Sequence, residues 1–228
     1  MCGRYTLTAA PETIQRAFDL DTVPSELAPR YNIAPTQPIP VITNQSPRAL
    51  TFVTWGLIPS WAKDTSMAAQ LMNARAETLT EKPSFRSAYK HRRCLVPADG
   101  FYEWMKDGKA KRPQYIYRRD RALFAFAGLW ERWNSPDGSE ILSATIITTE
   151  PNATIAPLHH RMAVILEPSD YGTWLDTNAE PAVLQALLRP APDDLLTYHE
   201  VSPAVNNARH DSPDMIEPIK PISQQRLF

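Results

Sequence analysis

The chain has 228 residues, 24 basic and 25 acidic side chains, a formal net charge of −1 and 43% hydrophobic residues. These values suit one globular domain over residues 1–228 and exclude a wholly disordered chain, a coiled coil or a collagen-like sequence. No run approaches the roughly 18 apolar residues of a membrane span, no export signal follows Met1, and two cysteines make no disulfide framework, so the reducing cytoplasm is the expected home.

Prolines number 22 against 7 glycines, so regular elements are expected to be short and interrupted. Pro11 to Leu20 reads as a helix with proline in its first turn and Ile14, Ala17 and Phe18 on one face. Ile39–Thr43 and Leu50–Trp55 read as strands around a turn at Asn44-Gln45-Ser46-Pro47. Cys94–Ala98 and Phe101–Met105 are further strands; Asp107-Gly108 signals a turn that returns Gln114–Arg118 antiparallel. Ala122–Trp130 and Ile141–Thr148 are the longest strand-like runs, with a polar turn between them, and Ala163–Leu166 is a short one. Helical patterns cover Ser169–Leu175 and Pro181–Leu188, and the proline-rich stretch from Ser212 is expected to be extended. Strands dominate the middle without βαβ alternation. This predicts an α+β fold with a mostly antiparallel, barrel-like sheet and peripheral helices.

Charge is unevenly placed. Residues 1–139 hold 19 basic and 13 acidic groups (+6), and residues 140–228 hold 5 and 12 (−7). A polyanionic partner for the first part is consistent with that split.

Several residues could carry chemistry. Removal of Met1 would leave Cys2 with a free α-amine and a thiol on adjacent carbons, both partly nucleophilic near neutrality. Such a pair condenses with an aldehyde to a Schiff base, which the thiol closes to a thiazolidine; the alternative is that cysteine at position 2 is incidental. Cys94 reads as a small buried apolar residue. In Leu71-Met72-Asn73-Ala74-Arg75-Ala76-Glu77-Thr78, the polar residues Asn73, Arg75 and Glu77 alternate along one face of an extended segment. They could hold a substrate oxygen and a phosphate, or simply face solvent. Glu103 sits among aromatics in Phe101-Tyr102-Glu103-Trp104. Facing inward, its pKa would rise and suit proton transfer; facing outward, it is an ordinary strand glutamate. His159 and His160 are a poor chelating pair, and the absence of CxxC leaves a metal site unexpected. One histidine acting as acid or base beside Arg161 is the better reading, against a plain surface loop. The basic runs Lys90-His91-Arg92-Arg93, Lys109-Ala110-Lys111-Arg112 and Arg118-Arg119-Asp120-Arg121 read as solvated faces. Trp55 and Trp61 could stack on bases or fill the core. Dinucleotide, P-loop, zincin and α/β-hydrolase motifs are all missing.

Taken in order, Met1-Cys2-Gly3-Arg4, Tyr31-Asn32-Ile33-Ala34-Pro35, Trp55-Gly56-Leu57-Ile58-Pro59-Ser60-Trp61, Asn73-Ala74-Arg75-Ala76-Glu77, Ala98-Asp99-Gly100-Phe101-Tyr102-Glu103-Trp104 and His159-His160-Arg161-Met162 form a recognisable set. The chain resembles the SRAP family (SOS response-associated peptidase), the abasic-site processing proteins, from Cys2 to about Leu166 and loosely through Val201–Asn206. The resemblance implies a protein that senses abasic sites in single-stranded DNA and forms a covalent thiazolidine link through Cys2. It assigns catalytic roles to Cys2, Asn73, Glu103 and His159, and DNA contacts to Gly3, Arg4, Pro35, Trp61, Arg75 and Arg161. It implies no cofactor, no membrane partner and a monomer, with the protein at the nucleoid when bound to DNA. One departure is Ala163, where the family commonly has proline. Two other readings are a thiol (auto)peptidase built on Cys2, Glu103 and His159, and a non-catalytic single-strand binder.

Overall fold

The computed structural model describes residues 2–108 and 110–219. Strand β1 (Tyr5–Leu7) leads to helix α1 (Pro11–Ala17), β2 (Arg30–Ile33), β3 (Pro38–Thr43) and β4 (Ser46–Trp55). A long loop reaches β5 (Asn73–Arg75), followed by α2 (Arg86–His91), β6 (Arg93–Ala98), β7 (Gly100–Asp107) and β8 (Ala110–Arg118). The long pair β9 (Phe124–Asn134) and β10 (Glu140–Thr149) comes next. It is followed by β11 (Met162–Ala163), β12 (Ile165–Leu166), α3 (Tyr171–Leu175), α4 (Pro181–Leu187) and β13 (Leu196–Glu200).

Five strands close into a ring. β10 pairs with β4, β4 with β3, β3 with β6, β6 with β9, and β9 returns to β10. Length explains the closure, since the 11-residue β9 and 10-residue β10 can bond each other and still reach further partners. The pairings are antiparallel except β10 with β4 and with β5. The α+β, barrel-like reading of the sequence therefore holds. A second sheet, ordered β13-β8-β7-β1-β2, lies against the barrel. Tyr5 of β1 joins the two: its ring meets Trp55 at 5.4 Å and Phe126 at 6.0 Å, both edge-on.

Prolines sit where their missing N–H is tolerated. Pro38 and Pro40 occupy the part of β3 that has β4 on one side and no β6 partner on the other, because β6 joins only at Ile42 and Thr43. Other boundaries depart from expectation. The first helix ends at Ala17, and Asp19 takes a positive φ of 51°. The turn expected over Asn44–Pro47 tightens, so that β4 begins at Ser46. The single strand expected over Ala163–Leu166 is two, because the chain crosses the β9–β10 seam there: β11 bonds β10 and β12 bonds β9. The stretch from Ser212, expected extended, forms a 3-10 turn over Pro213–Ile216 and a bridge from Pro218 to Val201; beyond Ile219 it lies outside the described residues. No described helix is long and apolar enough to cross a membrane.

Candidate active site

Four separate pieces of chain bring the candidate residues to one end of the second sheet. Cys2 precedes β1, whose pairing with β7 places Tyr5 opposite Phe101, and the Tyr102 N–H bonds the Arg4 carbonyl at 3.0 Å. Beyond that bond β7 continues past the start of β1, and Glu103 is the next residue. Asn73 opens β5 and lies opposite Ile146 of β10. Its Nδ2 donates to the Cys2 carbonyl at 2.9 Å, which ties the amino-terminal segment to the barrel. Its Oδ1 is buried and has no hydrogen-bond partner, an acceptor that costs free energy until something donates to it. His159 comes from the loop between β10 and β11.

Glu103 faces inward and is 3% exposed, which settles the question its sequence context left open. Burial raises its pKa above the ordinary carboxylate value. Cys2 is buried too, and its thiol pKa is pushed well up by desolvation and then by the charge of Glu103. His159 moves the other way, to about 4, chiefly through burial of the ring. His159 Nδ1 meets both the backbone N–H of Arg161 at 2.9 Å and its carbonyl at 3.1 Å, so Arg161 holds this edge of the ring in either tautomer. The ring is therefore held neutral near pH 7. Glu103 and His159 line a cleft of about 490 Å³ together with Trp104, Lys106, Lys111 and Asn206.

The expected DNA contacts fall into two groups. Trp61 is 57% exposed on the β4–β5 loop, and Arg75 is exposed at the end of β5. Gly3 and Pro35 are half-buried. Arg4 is partly committed: Nη1 donates to Asn32 Oδ1 at 2.8 Å and the Val205 carbonyl at 2.6 Å, and Nη2 to Asn206 at 3.2 Å. Arg161, expected at a phosphate, turns inward instead. It forms a two-pronged pair with Glu77 at 2.6 and 2.9 Å and bonds the Thr148 carbonyl at 2.7 Å, with its side chain 12% exposed. The Asn73-Arg75-Glu77 face is thus broken, because β5 stops at Arg75 and a 3-10 turn carries Glu77 away to Arg161. Trp55 is core, with its indole N–H on the Met72 carbonyl.

Sequence reasoning passed over Lys106 and set Lys111 aside within a basic run. The signal was present: the Asp107-Gly108 turn puts Lys106 directly opposite Lys111 across the hairpin, and like charges so placed repel. Among the described residues, no group of three or more His, Cys, Asp or Glu side chains could hold a metal ion.

A closed five-strand barrel, a second sheet and a cysteine at position 2 beside a buried carboxyl define the class. The family model for "SOS response associated peptidase (SRAP)" matches residues 1–208. The chain is 45% identical over 222 residues to the abasic site processing protein YoqW of Bacillus subtilis, covering 95% of this chain and 99% of that one. It is 33% identical to the abasic site processing protein HMCES of Xenopus tropicalis, covering 96% and 78%. The crystal structure of a Bacteroides thetaiotaomicron protein superposes with a TM-score of 0.89 at 28% identity, over 96% of this chain and all of that one. The chain belongs to the SRAP family.

Proposed function

We propose that this protein processes abasic sites in single-stranded DNA by covalent capture, using the amine and thiol of Cys2 after Met1 is removed. The amine adds to the C1′ aldehyde of the ring-opened sugar, and the resulting carbinolamine loses water to an imine. The thiol sulfur then adds to C1′ while its proton passes to nitrogen, closing a five-membered thiazolidine. One water leaves overall, and nothing is oxidised or reduced. Glu103, with its raised pKa, is the group that protonates the departing hydroxyl. In its Nε2–H tautomer, with Nδ1 accepting from the Arg161 N–H, neutral His159 polarises the sugar oxygen, as a neutral imidazole does when its pKa is held low. The unpaired Oδ1 of Asn73 accepts from the incoming amine or a sugar hydroxyl. Holding these groups together makes a slow bimolecular condensation effectively intramolecular.

On this reading, Trp61 and Pro35 receive bases, Gly3 lets the strand approach the terminus, and Arg75, Lys106, Lys111 and the remaining donors of Arg4 meet phosphates. Arg161 is a positioning residue, since its backbone N–H fixes the His159 ring. The observation that carries the proposal is the Asn73–Cys2 bond, which anchors the amino-terminal segment beside Glu103. The names of the relatives YoqW and HMCES point the same way. Burial that raises the thiol pKa weighs against a resting thiolate of the kind a peptidase needs. A heat-stable conjugate with an abasic single-stranded oligonucleotide is the expected product. Equal conjugation by Cys2→Ala would overturn the proposal.

A further inference from the structure

We infer that a second concavity, between α2 and the chain from α3 to α4, is a docking site for an acidic peptide segment ending in a large apolar side chain. The concavity measures about 620 Å³ and shares no lining residue with the cleft at Glu103. That volume falls within the range of pockets that take small ligands or anchor side chains.

Its two walls differ in chemistry. Arg86, Lys90 and His91 stand on the α2 side; Ala179, Pro181 and Leu184, interspersed with Thr177, Asn178 and Glu180, form the other. Arg86 and Lys90 lie four residues apart on one helix, a spacing at which like charges repel. Arg86 also opens α2, at the end where a positive charge opposes the helix dipole, and the first turn has no acidic residue. Among the described residues, no ion pair involves Arg86, Lys90 or His91. Their placement is locally unfavourable, and an anion would relieve it.

Two buried polar groups lie at the site, and one of them is unsatisfied. Arg93 is 1% exposed and gives its guanidinium N–H groups to four backbone carbonyls, those of Tyr89, Lys90, Trp174 and Asp176, rather than to a carboxylate. Tyr89 is 5% exposed, and its hydroxyl has no hydrogen-bond partner. Arg93 is satisfied by these carbonyls and by the nearby Asp176 charge, whereas the Tyr89 hydroxyl is an orphan donor that an incoming carboxylate would satisfy.

Glu180 is the one carboxylate along the lining. It opposes acidic groups on the α4 side and so orients the occupant, with carboxylates toward α2 and the apolar end toward Leu184. A nucleic acid strand matches the basic wall and not the apolar one.

The test is fluorescence anisotropy of the full chain with a labelled peptide, Asp-Asp-Glu-Asp-Leu-Phe. Saturable binding at low salt is expected, weakened about tenfold or more by Arg86→Glu with Lys90→Glu, both exposed positions. Replacing the terminal Leu-Phe of the peptide by Ser-Ser is expected to abolish it. Conjugation to an abasic oligonucleotide should be unchanged in the double variant, which separates this site from the Cys2 reaction. The proposal is overturned if the peptide does not bind or if charge reversal leaves binding intact. Equal binding of the Ser-Ser peptide, or displacement by undamaged single-stranded DNA, would also overturn it.

Discussion

Glu103 and His159 face one cleft with pKa values displaced in opposite directions by burial, the carboxyl upward and the imidazole to about 4. Opposed shifts of this kind divide a proton-transferring acid from a neutral hydrogen-bond donor. Glu103→Gln keeps the shape but removes the transferable proton, so single-turnover conjugation should slow by about 10² or more, with the far-ultraviolet spectrum unchanged. His159 also leaves a mark on stability. Its folded pKa lies below the unfolded value of about 6.5, so between roughly pH 4 and 6.5 the unfolded chain binds more protons. The contribution is present above pH 6.5 and is lost as pH falls through about 4. Wild type should therefore lose more melting temperature over that interval than His159→Gln. Equal pH slopes would show that the ring is not held neutral.

The β7–β8 hairpin presents the pair Lys106 and Lys111 to the cleft, and the β4–β5 loop presents Trp61. Lys106→Gln with Lys111→Gln should lower the slope of log affinity against log salt for single-stranded DNA by about 1.4, as expected for two lost phosphate contacts. An unchanged slope would remove both lysines from the interface. The loop is launched by Gly56, which has φ 129° and sits so close to Ala68 that an added Cβ would lie 2.4 Å from its backbone oxygen. Gly56→Ala should cost roughly 1–3 kcal/mol, visible as a lower denaturant midpoint. At this scale the sequence was readable where alternation and turn residues agreed, as in β3, β6, β8 and β10. It was unreadable where pairing with distant chain creates the strand, as in three-residue β1 and the paired β2 and β13, and six-residue α2 carries too little local pattern.

The whole molecule depends on a clamp that local sequence could not show. Asn32, fully buried, accepts from Arg4 and donates Nδ2 toward the carbonyls of Val205, Asn207 and His210, while Asp211 pairs with Arg30 and caps the Tyr31 N–H. This fastens the segment after β13, whose Asn206 side chain accepts from the Trp104 indole at 2.7 Å at the cleft. Asn32→Ala should cost about 2–3 kcal/mol by stranding buried polar groups, and it should slow conjugation by loosening that lip. Of the site, Cys2, Asn73, Glu103 and His159 were legible as motifs, because each residue type announces its chemistry. The inward turn of Arg161 and the neutral state of His159 were not, since both arise from burial among residues distant in the chain. The most direct test of the account is the intact mass and peptide map of the conjugate with an abasic oligonucleotide. The expected product is protein lacking Met1 joined to the full-length strand with loss of one water, and the link mapped to Cys2. A conjugate that retains Met1, or one linked through a lysine, would contradict it.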